Sequence, residues 1–110
     1  MLISPRPGSQ IRFIMVSFPM MPSISEFFGI TIYMYYAHGQ HKAAYFHARY
    51  QGSDASFSIE TQQILSGSLP PKVSKLIQEW AKRHQMELMQ NWNRALRKEP
   101  VQYVQGADND

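Results

Sequence analysis

Histidines are the residues of this chain best suited to chemistry near neutral pH, and three of the four fall between residues 38 and 47. They are His38, His41 and His47, and His84 follows much later in the chain. A neutral imidazole binds zinc and similar divalent ions, and it also serves as a general acid or base. Because the chain has no cysteine, a zinc site here would depend on imidazoles. One hypothesis is therefore a site for zinc or a similar divalent metal formed by His41, His47 and His84.

A structural role for the same histidines is the alternative. His38 and His41 fall in a predicted loop, His47 on a half-exposed strand face, and His84 next to the apolar side of a predicted helix. The chain also lacks the His-x-x-x-His spacing that places two imidazoles on one helix face. The spacing therefore permits a metal site without requiring one.

A second candidate site follows from the alternation of side chains along two predicted strands. Successive residues of a strand point to opposite faces, so one face collects Tyr33, Tyr35, Tyr45, His47 and Arg49. Aromatic sheet surfaces of this kind stack RNA bases. In a ribonuclease or other small hydrolase, His47 would move a proton and Arg49 would hold a phosphate, assisted by Tyr45. The structural alternative, which we favour, is cross-strand packing of the tyrosines within the sheet or at an oligomer interface.

A basic helical segment is the third feature. Residues 72–98 carry a net charge of about +5, because only Glu79 and Glu87 oppose seven cations: Lys72, Lys75, Lys82, Arg83, Arg94, Arg97 and Lys98. The cations either contact phosphates or form a solvated helix face that suits the helix dipole. Together with the strand tyrosines, Lys82, Arg83 and Arg94 define a candidate surface for a protein or nucleic-acid partner: Tyr33, Tyr35, Lys82, Arg83 and Arg94.

The elements that would position these residues fit in one small domain. The chain has 110 residues, of which 44% are hydrophobic, and this is enough for one packed core. β-Branched and aromatic runs predict strands over residues 30–36, 44–50 and 55–60, joined as an antiparallel meander. Residues 63–66 read as a further short extended piece. Residues 23–28 read as a helical turn, because Ser23 and Glu26 have the spacing of a capping box.

Apolar residues at helical spacing predict helix over residues 71–98, either as one long helix or as two short helices broken near His84. Pro71 suits its first turn and Pro100 stops it. Residues 101–104 read as an added edge strand. The predicted fold class is therefore α+β: a three-stranded antiparallel meander packed against one long or two short C-terminal helices.

The two ends of the chain read differently from the middle. Residues 1–20 are interpreted as a flexible leader upstream of a natural start at Met21, residues 21–104 as the single domain, and residues 105–110 as a polar tail. Without that leader, nine basic residues face eight acidic ones, so the formal charge falls from +3 to +1. We expect no signal peptide and no membrane span, because no apolar run approaches about 18 residues. The lack of cysteine favours the cytoplasm.

Three stretches resemble the small bacterial family known as domain of unknown function 4160. They are residues 21–36, residues 41–50, and the later pattern that contains Glu79-Trp80, His84, Glu87-Leu88 and Trp92. Members typically begin Met-Pro, carry a His-x-Pro-Pro-His-Phe-His segment, and end with a helix bearing Trp and His. This chain has Ala43 and Ala44 where many members have Pro-Pro, and Tyr45 in place of the first histidine of His-Phe-His. The resemblance covers about residues 21–104.

The resemblance implies a bacterial protein without an established activity, whose gene often lies beside that of another small domain. Our leading hypothesis is therefore a non-enzymatic protein-interaction module of a two-gene, toxin–antitoxin-like system, with a small protein from the neighbouring gene as partner. A small His-dependent hydrolase or ribonuclease and a His-based metal-binding protein remain the alternatives. The chain contains no P-loop, no Gly-x-Ser-x-Gly and no His-Glu-x-x-His motif.

Overall fold

A single antiparallel sheet of five strands, in the order β1-β2-β3-β4-β5, carries two helices on one face in the computed structural model. The structure describes residues 21–35 and 43–110, so His38 and His41 lie outside the described residues. The strands and helices are β1 (Ser23–Phe27), β2 (Ile30–Tyr33), β3 (Tyr45–Tyr50), β4 (Ser53–Ser58), β5 (Ile64–Gly67), α1 (Pro71–Arg83) and α2 (Gln85–Leu96). The α+β class and the meander are confirmed, and the sheet gains a strand at each edge of the predicted three.

Strand β1 replaces the helical turn predicted for residues 23–28. Its Ile24 and Phe27 are buried in the core, and it forms a hairpin with β2 in which Phe27 faces Ile30. Phe28 and Gly29 make the two-residue turn with φ values of 53° and 77°, the left-handed pair that a tight hairpin requires. The capping-box reading was wrong because pairing with β2 buries this segment, which a lone helical turn would leave exposed.

Strand β5 confirms the further extended piece predicted for residues 63–66, although it is short and exposed along its length. The edge strand predicted for residues 101–104 is not formed. Val101 and Val104 are buried, but this segment joins β1 through one backbone hydrogen bond, from Val104 N–H to the carbonyl of Ile24 at 2.8 Å. Two apolar residues three positions apart therefore mark contact with the core here rather than a strand of the sheet.

The helical region forms two helices, which confirms the predicted alternative of two short helices broken near His84. Helix α1 begins at Pro71, which suits its first turn, and the break falls at His84. Helix α2 ends at Leu96, two residues before the predicted end, where Lys98 takes a left-handed φ of 59°.

The core lies between the helices and the inner face of the sheet. Phe46 and Phe57 of neighbouring strands stack with ring centroids 5.4 Å apart, and Trp80 of α1 packs edge-on against Phe46 at 6.0 Å. Trp80 is fully buried and also contacts Phe27 at 5.0 Å. Successive residues of a strand point to opposite faces, so His47, which follows Phe46, lies on the outer face of the sheet.

The C-terminal segment holds the two helices and β1 together. The indole N–H of Trp80 donates to the carbonyl of Gln105 at 2.8 Å. The side chain of Asn91 on α2 donates to the carbonyl of Gln102 at 2.7 Å and accepts from its N–H at 2.8 Å. Residues 105–110, read from the sequence as a polar tail, contain a 3₁₀ helix over Ala107–Asn109.

Candidate functional site

The outer face of the sheet brings the predicted aromatic and basic residues together in register. Tyr33 lies opposite His47, His47 lies opposite Ser56, and Ser56 lies opposite Ser66. The hydroxyl of Ser56 is 3.3 Å from Nδ1 of His47, and the hydroxyl of Ser66 donates to that of Ser56 at 3.3 Å. This row across four strands fixes the imidazole by its Nδ1 side.

Aromatic rings enclose His47 on two sides. The ring of Tyr35 stacks on the imidazole with centroids 4.2 Å apart, and the ring of Tyr45 meets it edge-on at 5.3 Å. Tyr45 is almost fully buried, and this burial, with the nearby phenol of Tyr35, raises its pKa above the usual value. This burial therefore favours the neutral phenol of Tyr45 over the phenolate.

Tyr45 also connects the outer face to helix α2. It lies at the end of β3, where its ring contacts Trp92 with centroids 5.1 Å apart. Helix α2 exposes Met86, Met89 and Leu96, the first of them 73% exposed, and Met86 lies one turn before Met89. Three and four residues separate Trp92 from Met89 and Leu96, so these side chains adjoin on the helix surface. We call Met86, Met89, Trp92 and Leu96 the α2 strip.

The cavity beside Arg49 is too small to enclose a substrate. Its guanidinium pairs with Asp54 at 3.5 Å, and both side chains are more than half exposed. A cavity of about 70 Å³ lies between Arg49, Tyr33, Tyr35 and His47. Small-molecule sites usually measure about 300–1,000 Å³. The cavity therefore holds a few waters at most, and the outer face is better suited to contact than to enclosure.

A family model matches the part of the chain that carries most of this site. The family model described as Domain of unknown function (DUF4160) matches residues 29–93, which contain β2 to β5, α1 and most of α2. The chain belongs to the DUF4160 family. No curated protein and no solved structure matches the chain.

The DUF4160 match includes His47 and His84, but the structure places these two histidines in different surroundings. His84 lies against Trp80, with ring centroids 5.5 Å apart, and Trp80 packs on the inner face of the sheet. His47 is on the outer face, beside Tyr35. The two imidazoles are therefore not brought together. His41 lies outside the described residues, so the site predicted for His41, His47 and His84 stays a prediction.

His84 is instead held between two carboxylates. Its Nδ1 contacts Glu87, while its Nε2 contacts Asp110 at 3.0 Å. Arg83 also pairs with Asp110 at 3.0 Å. The two carboxylates approach the ring from opposite nitrogens, so their oxygens do not converge with a nitrogen on one point. No group of three metal-ligating side chains is arranged to hold an ion in the part of the chain that the structure describes.

The predicted basic surface is partly used within the fold. Arg83 pairs with Asp110, and Arg94 donates to the side chain of Asn91 at 2.9 Å, whereas Lys82 is exposed. These contacts favour a structural role for two of the three cations over a phosphate-binding face.

Among residues 21–35 and 43–110, no helix has the length and apolar content to cross a membrane.

Four residues of the site were missed by sequence reasoning: Ser56, Ser66, Trp92 and Asp110. The alternation that placed His47 outward also placed Ser56 outward, so the register of β3 and β4 was the signal that could have paired them. Trp92 appears in the sequence analysis only within the family pattern, because helical spacing does not show that it reaches Tyr45. Asp110 lies 26 residues from His84, and no local pattern relates them.

Proposed function

We propose that this DUF4160 chain is a protein-interaction module of a two-gene, toxin–antitoxin-like system, and that its partner is a small protein from the neighbouring gene. The observation that carries the proposal is the contact between Tyr45 and Trp92. It packs the α2 strip, through Trp92, against the buried ring that also contacts His47, so the strip and the aromatic cluster of the outer face lie on either side of Tyr45.

The composition of the α2 strip matches that of protein interfaces. Aromatic residues and methionine are enriched at interface centres, and tryptophan and tyrosine account for many binding hot spots. Methionine side chains also adapt to irregular partners, because they are unbranched and polarisable. Met86 is 73% exposed, so folding gains little from its apolar side chain and a partner would gain more.

The experiment is co-expression with the neighbouring gene product, followed by size-exclusion chromatography at low and moderate salt. We expect the two proteins to co-elute. Met86→Asp combined with Met89→Asp should weaken the complex at least tenfold, because two carboxylates would be buried in an apolar contact. Leu76→Asp, compared with Met86→Asp alone, is the control, since each puts one carboxylate at an exposed apolar position of a helix.

Either of two results would contradict this proposal. One is failure of the partner to co-elute with the unchanged chain at any salt concentration. The other is equal loss of binding in Leu76→Asp and in Met86→Asp, which would indicate a general effect of surface charge.

A small His-dependent hydrolase or ribonuclease is the second candidate function. It is favoured by the contact between Nδ1 of His47 and the hydroxyl of Ser56, which would orient the imidazole for proton transfer. Growth arrest on expression that is relieved by His47→Ala would support it. Toxicity that persists in His47→Ala would reject it, and metal analysis of the tag-free protein separately tests the predicted zinc site.

A further inference from the structure

The tip of the β1–β2 hairpin forms a surface distinct from the α2 strip. The turn residues Phe28 and Gly29 both have positive φ, at 53° and 77°. Asparagine or glycine suits the first of these positions, because a side chain such as phenylalanine is strained in the left-handed region. The Phe28 side chain is also 57% exposed. Phenylalanine is thus unfavourable here for the backbone and for solvation alike.

The second hairpin of the same sheet shows what folding alone requires. Gln51 and Gly52 join β3 to β4 with φ values of 50° and 84°, nearly the same geometry. The position equivalent to Phe28 is filled there by a polar residue that is exposed to water. The turn type therefore does not demand an aromatic ring, and the edge-on contact of Phe28 with Phe27 still leaves more than half of the residue exposed.

The surroundings of Phe28 are acidic. A shallow surface depression of about 460 Å³ beside the ring is lined by residues 26–31 and by Asp108, and no basic residue is among them. Glu26 and Asp108 are both exposed, and neither carboxylate forms an ion pair among the described residues. Their proximity is built into the fold, because Gly106 lies so close to β1 that an added Cβ would be 2.8 Å from the carbonyl of Glu26.

We propose that Phe28, Glu26 and Asp108 form a docking surface for an arginine-containing basic segment of a protein partner. The guanidinium lies flat on the ring of Phe28, and its N–H groups donate to the two carboxylates. Arginine fits better than lysine because it both stacks on an aromatic face and donates in several directions. This surface is separate from the α2 strip, so the proposal stands or falls independently of the proposed function.

The test is an NMR titration of the ¹⁵N-labelled full chain with a capped Gly-Arg-Gly-Arg-Gly peptide. We expect saturable amide shifts confined to residues 26–31 and 106–109. The matching lysine peptide should bind at least threefold more weakly, and the matching citrulline peptide should cause no saturable shift, because citrulline keeps the shape of arginine without its charge.

Variants connect the binding to the named groups. Phe28→Asn should abolish the saturable shifts while the spectrum of a folded protein is retained, because asparagine suits the turn. Gln51→Asn is the matched control, since it makes the equivalent change in the other hairpin, and it should bind like the unchanged chain. Glu26→Gln with Asp108→Asn should weaken binding at least tenfold.

Three outcomes would overturn the proposal. Equal binding by Phe28→Asn would exclude the aromatic ring, and equal binding of the lysine peptide would exclude the preference for arginine. Shifts of the same size around Glu87 and Glu99 would show general attraction of the peptide to carboxylates.

Discussion

Asp110 shows how one side chain can hold a segment to a helix. Burial raises the pKa of its carboxyl, but hydrogen bonds from His84 and Arg83 outweigh this and leave the pKa below its ordinary value. The same carboxyl contacts His84 at 3.0 Å, so it connects the last residues of the chain to the junction between α1 and α2. The ionised form is therefore the one that the folded state favours.

The pH dependence of this contact has a definite sign. Because the folded pKa of Asp110 is lowered, its stabilising contribution is complete above the unfolded pKa of about 3.9 and is lost as pH falls through the folded value. We expect Asp110→Asn to lower the melting temperature at pH 7 and to reduce the loss of stability between about pH 4 and the folded pKa. Thermal unfolding of both proteins across that range measures it, and parallel curves would contradict it.

Phe28 gives a second prediction at this scale. Relief of a left-handed conformation by asparagine should raise the free energy of unfolding by about 1 kcal/mol in Phe28→Asn. Urea unfolding measures the change, and Gln51→Asn, which relieves the same geometry, should show a similar gain. A loss of stability in Phe28→Asn alone would mean that the ring supports the fold, for instance through its edge-on contact with Phe27 at 6.4 Å.

At the residue scale, sequence reasoning could place side chains on a face but could not join distant ones. Alternation along β3 correctly grouped His47 with Tyr45 on the outer face, since period two is a property of the backbone. The separation of His47 from His84 depends on Trp80 packing against Phe46, a contact between residues far apart in the chain. Rules based on residue spacing relate only residues that are close in sequence, so they do not predict this contact.

At the scale of elements, Gly67 allows β5 to lie unusually close to the backbone of β4. This glycine has a φ of 78°, and an added Cβ would lie 2.3 Å from the carbonyl oxygen of Asp54 and 2.8 Å from Cα of Ala55. Those neighbours are backbone atoms of β4, so they cannot move aside without disturbing the ladder. Gly52 has a similar φ of 84° but has no atom within 4 Å of an added Cβ.

This contrast predicts different costs for the same substitution. Gly67→Ala should lower the free energy of unfolding by roughly 3 kcal/mol, because backbone strain and a clash act together. Gly52→Ala should cost about 1 kcal/mol, since only the strain applies. Urea unfolding measures both, and hydrogen exchange should show β5 losing protection first in Gly67→Ala. Equal costs in the two variants would contradict the role of the close contact.

The elements themselves were predictable where composition was decisive. The β-branched and aromatic runs of β2 and β3 and the helical spacing of α1 each gave the correct type. Strand β1 was missed because the spacing of Ser23 and Glu26 fits a capping box as well as a strand. Only its pairing with β2, which buries Ile24 and Phe27, decides between the two.

At the scale of the whole molecule, residues 101–106 tie together elements that are otherwise joined mainly by the core. They accept the indole hydrogen bond of Trp80 on α1 and pair with the side chain of Asn91 on α2. They also reach the edge of β1 through the bond from Val104 to Ile24. Asn91 is almost fully buried, so its polar atoms would be costly without these partners.

A double-mutant cycle tests whether this segment acts as one unit. Trp80→Phe should lower the free energy of unfolding by about 3 kcal/mol, through a lost hydrogen bond and a cavity, and Asn91→Ala by about 2 kcal/mol. If each change frees the same segment, the second has less to lose, so the double variant should fall about 1 kcal/mol short of the sum. Urea unfolding of all four proteins measures this coupling.

Pairing Trp80→Phe with Gly67→Ala is the control, because the two residues share no partner and their costs should add within about 0.5 kcal/mol. Strict additivity of Trp80→Phe and Asn91→Ala would mean that each helix is held to the segment independently, and that residues 101–106 do not connect the two.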